Sequence, residues 1–171
     1  MKTNHVIIAS YNHEWKKEFE KIKDEIISAL GSLALSVEHV GSTAVEGLSA
    51  KPIIDIDVVI ENSSKLNEVI DKLADIGYIH EGNLGIEDRE AFGYENKNHL
   101  MLHHLYVCPK NSQELKRHIA FRDYLKNHPE DVKEYSKIKK QGAKLYPFDI
   151  EKYIEYKSDF IKRLYDKISV S

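Results

Sequence analysis

The chain has 171 residues, of which 42% are hydrophobic and 31% charged, and its formal net charge is −3. This length fits one domain, residues 1–171, able to bury roughly 70% of its unfolded surface, and the composition is that of an ordinary soluble globular protein. The negative net charge excludes a global positive field, which argues against nucleic acid as a partner. A phosphorylated substrate would have to meet locally placed Lys and Arg.

Cysteine content and the first residues indicate the compartment. The single cysteine, Cys108, excludes an intramolecular disulfide and suits a reducing environment. The opening M-K-T-N-H-V-I-I-A-S-Y has too short an apolar run for a signal peptide, and no later stretch could span a bilayer. We therefore expect a cytoplasmic protein with no membrane partner, and the sequence leaves its oligomeric state open.

Hydrophobic periodicity predicts the elements in chain order. Residues 14–30 carry apolar side chains at three- and four-residue steps, which predicts an amphipathic helix. A second helix is capped by Ser63 or Ser64 and ends at Gly77. Strands are predicted at 35–40, 53–60, 78–81, 91–94 and 100–107, and helices at 112–127, 129 to about 146, and 149–168. This order predicts an α+β (mixed-sheet α/β) domain with a βαβ core and a C-terminal helical segment, about 112–168, packed on the sheet.

Two carboxylates lie within the apolar run 53–60. Asp55 and Asp57 share one strand face about 6.5–7 Å apart, while their apolar neighbours fill the other. Asp is rarely buried without a partner, and like charges this close need a cation, or one of them takes up a proton. Hard oxygen ligands favour Mg²⁺ or Mn²⁺. We expect both carboxylates to open onto one solvent-reachable cleft and to hold the metal.

A small-residue turn precedes this strand. Gly41-Ser42 is separated from Asp55-Ile56-Asp57 by twelve residues, a spacing that resembles the nucleotidyltransferase superfamily. In those folds the glycine lets the backbone approach a phosphate, the serine and nearby amides bind it, and the aspartates hold the metal. The resemblance implies that Gly41, Ser42 and Thr43 bind nucleotide. The alternative is a plain turn next to aspartates that face solvent on an exposed sheet.

The full wording of the segment resembles a narrower family. H-V-G-S-T-A-V-E-G-L-S-A-K-P-I-I-D-I-D-V, residues 39–58, is similar to the hallmark of the GrpB family, whose members have a nucleotidyltransferase-like fold and no settled activity. The similarity extends to Y-N-H-E-W at 11–15, G-I-E-D-R-E-A-F at 85–92, H-H-L-Y-V at 103–107 and H-I-A-F-R-D-Y-L at 118–125.

One departure concerns the later strand. The family's His-Leu-His pattern would place a second histidine where this chain has Tyr106, and nucleotidyltransferases usually carry a third carboxylate on such a strand. Residues 100–107 contain no acid, so His104 is the nearest substitute as metal ligand and catalytic residue. Alternation predicts that His104 and Tyr106 face the aspartates while His103 points away. An imidazole favours Mn²⁺ or Zn²⁺ over Mg²⁺.

Four further residues are candidates for binding substrate. Arg89 and Arg122 lie in family-like segments and can clamp phosphate, although Arg122 could equally pair with Asp123 or cap a helix end. Lys51 is a phosphate partner or one of many solvated lysines. His39 is assigned with Tyr106 to the acceptor side, and its alternative is a satisfied histidine at a strand end.

The predicted function is metal-dependent nucleotide binding with nucleotidyl transfer to an unknown acceptor. The partner is a nucleoside triphosphate or another phosphorylated small molecule. The first alternative is a catalytically inactive module that binds or senses a nucleotide, which the missing third carboxylate favours. The second is a metal-dependent hydrolase that uses His39, His103, His104 and the aspartates.

Overall fold

The computed structural model describes residues 5–170. This part of the chain forms five α-helices and five strands. In chain order they are α1 (Glu14–Leu30), β1 (Ser36–Val40), β2 (Ile54–Ile60), α2 (Leu66–Asp75), β3 (Tyr78–Gly82), β4 (Glu90–Tyr94), β5 (His103–Pro109), α3 (Gln113–Lys126), α4 (Pro129–Leu145) and α5 (Ile150–Val170). The predicted α+β class is confirmed.

The strands form one mixed sheet in the order β1-β2-β5-β4-β3. The central pair, β2 and β5, is parallel, and every other pair is antiparallel. In the parallel register Asp55 pairs with His104 and Asp57 with Tyr106. Paired residues point to the same face, so these four side chains lie on one side of the sheet.

Helices α1 and α2 cover the opposite face. Helix α1 buries Trp15, Phe19, Ile22, Ile26 and Leu30, at the three- and four-residue steps that keep them on one side of a helix. They pack with Ile54, Ile56 and Val58 of β2 in the main core. The side chains at the alternate positions of β2, those of Asp55, Asp57 and Val59, therefore point to the other face of the sheet.

Helices α3, α4 and α5 form a second layer on the aspartate face. Leu115 of α3 packs against Val59 and Cys108 of the sheet. Helices α4 and α5 pack on α3 and on the loop after β1, through a cluster that includes Val45, Leu48, Leu125, Val132, Tyr135, Phe160 and Leu164. This loop-to-helix packing brings the C-terminal helices over the end of β1, where the candidate site forms.

One strand differs from the prediction by more than one residue. Residues 100–107 were expected to form the fifth strand, whereas β5 runs from His103 to Pro109. Its extent follows β2, because the parallel register continues from the Ile54–His103 pair to the Ile60–Pro109 pair. Among the described residues, no helix is long and apolar enough to span a membrane.

Candidate functional site

Gly41 brings the backbone at the end of β1 against Asp55. Its φ of +73° suits glycine, and a Cβ at this position would lie 2.5 Å from Oδ2 of Asp55. The next residues form a single 3-10 turn, Ser42–Ala44, in which the amide of Ala44 donates to the Gly41 carbonyl over 3.2 Å. The Gly-Ser turn and the first carboxylate therefore form one unit.

Asp55 is the carboxylate that reaches solvent. Its side chain is 35% exposed, and its Oδ1 lies 3.0 Å from Nδ1 of His104. His103 faces the other way, where its ring contacts the Tyr78 hydroxyl at 2.7 Å and the Met101 carbonyl at 2.8 Å. His104 therefore lies beside Asp55, and His103 is turned into the packing.

Asp57 is fully buried, which corrects the expectation that both carboxylates reach solvent. Its exposed fraction is 0%, and Nδ1–H of His118 donates to its Oδ2 over 2.6 Å. The other ring nitrogen, Nε2, lies 3.1 Å from Oε1 of Glu114. Because both nitrogens face carboxylates, the ring donates on both sides as an imidazolium. Asp57 is buried because helix α3 places the side chain of His118 over strand β2.

The pKa values at this pair follow from burial and charge. Burial raises the pKa of Asp57, and the hydrogen bond and positive charge of His118 oppose the rise. For His118, burial lowers the pKa, but the hydrogen bond and charge of Asp57 outweigh it and the net shift is upward. Asp57 and His118 therefore each favour the charged form of the other across the contact between β2 and α3.

Two buried polar atoms beside this pair have no hydrogen-bond partner among the described residues. They are Oδ1 of Asp57 and Nε of Arg89. The guanidinium of Arg89 lies 4.3 Å from the ring centre of Tyr106, and its charge lowers the pKa of Asp57. An orphaned buried carboxylate oxygen costs free energy unless a cation or a ligand completes it.

A cavity of about 130 Å³ lies between the Gly-Ser turn and helices α4 and α5. Its lining combines hydroxyl, carboxylate, imidazole and ammonium groups from Ser42, Thr43, Lys51, Asp55, His104, Lys139, Tyr153 and Lys157. Such a volume suits phosphate groups rather than a whole nucleotide, because pockets for larger ligands begin at roughly 300 Å³.

Lys139 is the most deeply buried cation of this cavity. It is 3% exposed, and its Nζ donates to Oγ of Ser42 and to the carbonyl of Ser49, the latter over 3.2 Å. Burial lowers the pKa of Lys139 well below its ordinary value. Burial and the charge of Lys51 lower the pKa of Lys157 to about 8, and burial also lowers that of Lys51. Three lysines with lowered pKa values therefore line one small cavity.

Sequence reasoning missed His118, Lys139 and Lys157. The two lysines could have been found, because each interrupts the apolar stripe of its helix. In α4, which also buries Asp131, the buried residues Val132, Tyr135, Lys139 and Gly142 follow one another at steps of three and four. In α5 Lys157 falls between the buried Tyr153 and Phe160 at the same period. A lysine at a core position of a helix predicts a buried charge with a function.

Of the residues assigned to the acceptor side, His39 lies on the α1 face and does not line the cavity. Its ring stacks on Phe19 with centroids 4.6 Å apart, and its Nε2 lies 2.9 Å from Oγ1 of Thr43. Burial lowers its pKa to about 4. His39 therefore fits the alternative interpretation, a histidine at a strand end that makes its contacts within the fold and supports the Gly-Ser turn. Tyr106 shares the aspartate face but packs under Arg89.

Arg122 is held in ion pairs outside the cavity. Its Nη1 donates to Oε2 of Glu38 and to the His39 carbonyl, each over 3.1 Å, and its Nε donates to Oδ1 of Asp123 over 2.9 Å. The pairing with Asp123 that the sequence left open is thus present. Arg122 braces β1 against α3, and Lys51 is the member of the predicted phosphate-binding cations that lines the cavity.

Comparison with solved structures identifies the class of fold. Cid1 poly(U) polymerase superposes with a TM-score of 0.53 over 77% of this chain and 45% of that chain, at 13% sequence identity. The fold is therefore nucleotidyltransferase-like.

The family follows from closer matches. The family model described as GrpB protein matches residues 5–167, and the chain belongs to the GrpB family. The crystal structure of GrpB from Enterococcus faecalis has a TM-score of 0.83 and 34% identity, covering 95% of this chain and 96% of that one. Glutamate-rich protein GrpB of Alkalihalophilus pseudofirmus is 32% identical over 166 residues, covering 95% of each chain. UPF0157 protein YqkA of Bacillus subtilis is 32% identical over 92% of this chain, which spans only 45% of that protein.

Proposed function

We propose that this protein binds a nucleoside triphosphate together with a divalent cation and transfers the nucleotidyl group to an acceptor. The observation that carries the proposal is the cavity in which Asp55 faces Ser42 and the three lysines, Lys51, Lys139 and Lys157. A carboxylate opposite clustered ammonium groups suits a metal–polyphosphate complex, which presents both signs of charge at once.

The three lysines of the cavity would bind the phosphate groups of the triphosphate. Burying ammonium groups near one another is costly, which is why their pKa values are lowered. A polyphosphate would offset that cost and restore their charge. Ser42 and Lys139, already in contact, would bind the outer phosphates, and the small volume of the cavity leaves the nucleoside outside it.

The carboxylates fit a cation, on the evidence of the orphaned Oδ1 of Asp57. Within residues 5–170 no group of three or more His, Cys, Asp or Glu side chains is arranged to hold a metal ion. Mg²⁺ and Mn²⁺ need no such cage, because they bind through one or two carboxylates, waters and substrate phosphates. Asp55 and Asp57 would hold the ion, and the ion would neutralise charge on the phosphates.

The transfer requires a base for the acceptor. An acceptor hydroxyl oxygen would form a bond to the α-phosphorus, the bond from that phosphorus to the bridging oxygen would break, and pyrophosphate would leave. Nδ1–H of His104 points at Asp55 over 3.0 Å, so the lone pair of the neutral ring is on Nε2. His104 is therefore the base nearest to Asp55 for the hydroxyl proton.

A second candidate is a module that binds or senses the nucleotide without transferring it. The observation that favours it is the register of β5, which places His104 and Tyr106, rather than an acid, opposite the two aspartates. The hydrolase alternative loses two of its histidines, because His39 and His103 lie on the other face of the sheet.

Crystals soaked with Mn²⁺ and a triphosphate analogue that is nonhydrolysable at the α–β bridge test the proposal. We expect anomalous signal for Mn²⁺ at Asp55 and outer phosphates on Ser42 and Lys139. Crystals of Lys139→Met should lose the triphosphate, whereas Lys140→Met, one residue along and exposed, should keep it. Triphosphate bound away from this cavity would contradict the proposal, and bound triphosphate with no open approach to the α-phosphorus would favour the sensing module.

A further inference from the structure

A second groove, of about 700 Å³, runs beside the cavity between α4, the end of α3 and the N-terminal segment. Its floor includes Gly47, Leu125, Pro129 and Val132, and its rim carries the lysines Lys126, Lys133, Lys137 and Lys140. Among its lining residues within 5–170, Glu46 is the one acid. The proposed function leaves this groove without a role.

The lysines of α4 form a row of like charge. Lys133, Lys137 and Lys140 are exposed and follow one another at steps of four and three, on one side of the helix. Like charges at this spacing destabilise a helix. In the described part of the chain none of these lysines forms a salt bridge, and Lys140 has only a hydrogen bond to Oγ of Ser10 at 3.2 Å. A row that costs stability and is not neutralised within the fold suits an anionic partner.

The spacing of the row suits a repeating anion. Four helical residues advance about 6 Å along the axis, which is comparable to the step between successive phosphates of an extended polynucleotide strand. Tyr11 lines the same groove and is held edge-to-face by Trp15, with ring centroids 5.5 Å apart. Single-strand binding sites combine a basic track with an aromatic ring on which bases stack. An acidic peptide would use the lysines but not the ring.

The groove adjoins the cavity through one backbone segment. Ser49 lines the groove, its amide donates to Oγ of Ser136 over 3.0 Å, and its carbonyl accepts from the cavity residue Lys139 over 3.2 Å. A single-stranded nucleic acid bound in the groove would therefore pass next to the proposed phosphate site.

We infer that this groove binds a short single-stranded nucleic acid. The end of that nucleic acid would be the acceptor of the nucleotidyl transfer, a role that rests on the proposed function, whereas binding in the groove does not. The expectation from the sequence, which argued against nucleic acid as a partner, rested on the net charge of −3. The fold instead collects positive charge locally, and local rather than net charge decides binding in a groove.

Fluorescence anisotropy with a labelled single-stranded RNA of mixed sequence tests this on the full chain. We expect binding that weakens between about 50 and 200 mM salt, and a triple variant Lys133→Glu, Lys137→Glu, Lys140→Glu whose slope of log K against log salt is smaller by about 2. The control is Lys16→Glu, Lys65→Glu, Lys72→Glu, the same charge change at exposed lysines of the α1–α2 layer, which should bind as the parent does. Tyr11→Ala should weaken binding about tenfold and Tyr11→Phe should not.

Equal effects of the two triple variants would overturn the inference, as would a poly-glutamate peptide that binds as tightly as the RNA. Triphosphate titration on the same proteins separates the two proposals, because the α4 variant should retain triphosphate binding that Lys139→Met loses. Triphosphate binding without RNA binding would overturn the groove alone. RNA binding without triphosphate binding would overturn the proposed function and leave the groove.

Discussion

Nδ1 of His118 lies 2.6 Å from Oδ2 of Asp57, and this contact joins α3 to the central strand β2. Asp57 has no exposed surface, so His118 is the charge that makes its burial tolerable. Asp55, two residues earlier, keeps 35% of its side chain exposed. The pair of aspartates is therefore divided between an open carboxylate and an anchored one.

Removal of the anchoring charge should destabilise the fold. We expect His118→Ala to lower the free energy of unfolding by about 3 kcal/mol, because it leaves a buried carboxylate without its partner. Urea unfolding near neutral pH measures the change. Glu114→Ala is the matched control, since it keeps the Asp57 contact, and it should cost less than about 1 kcal/mol. Equal losses in the two variants would show that the buried contact has no special weight.

A side chain at Gly41 should disturb Asp55. Gly41→Ala and Gly82→Ala both place alanine at positive φ, +73° and +82°, and each should cost about 1–2 kcal/mol of stability. Only at Gly41 would the new Cβ meet a carboxylate oxygen, at 2.5 Å, whereas nothing lies within 4 Å of the one at Gly82. Titration of both variants with Mn²⁺ should show weaker binding for Gly41→Ala alone. Unchanged Mn²⁺ affinity would mean that the Gly41–Asp55 contact does not shape the site.

The lowered pKa of Lys157 predicts the pH dependence of triphosphate binding. Its value of about 8 means that the ammonium is charged below pH 8 and neutral above it. Affinity for the triphosphate should therefore fall as pH rises from about 7 to about 9, and Lys157→Met should bind about tenfold more weakly at pH 7 with a flatter profile. Lys162→Met, exposed on the same helix, serves as control. A parent profile that Lys157→Met leaves unchanged would exclude this lysine as the titrating group.

His103 predicts a loss of stability in acid. Its Nδ1–H donates to the Met101 carbonyl and its Nε2 accepts from the Tyr78 hydroxyl, so the ring is neutral. Burial lowers its pKa from 6.5 to about 4, so its contribution is complete above pH 6.5 and is lost as pH falls towards 4. A shift of this size corresponds to about 3 kcal/mol. The free energies of unfolding of the parent and of His103→Asn should approach each other as pH falls from 6.5 towards 4. A constant difference between them over this range would contradict the assignment of a buried neutral ring.

The elements were largely predictable because their patterns are local. The spacing of Trp15, Phe19, Ile22 and Ile26 defines α1 without reference to the rest of the chain. The boundary of β5 was not local, since its pairing with β2 decides where the strand begins and ends. The aspartate face was predicted from the alternation of β2, and His104 followed from the same rule applied to β5.

The candidate site was predictable only where its residues belong to the strands. Lys139 contacts Ser42 across 97 positions of sequence, and His118 contacts Asp57 across 61. No periodicity places such pairs together, because their proximity depends on how α3, α4 and α5 pack on the loop after β1. The same packing buried Asp57, which alternation alone had placed in solvent.

Calorimetric titration with Mn²⁺ and a nonhydrolysable nucleoside triphosphate, on the parent and on Asp55→Asn with Asp57→Asn, tests the central claim most directly. The account predicts that the parent binds the ion and the triphosphate together, and that the double variant stays folded in a thermal melt but binds no Mn²⁺. A folded double variant that binds metal and triphosphate as the parent does would contradict the assignment of the aspartates to the site.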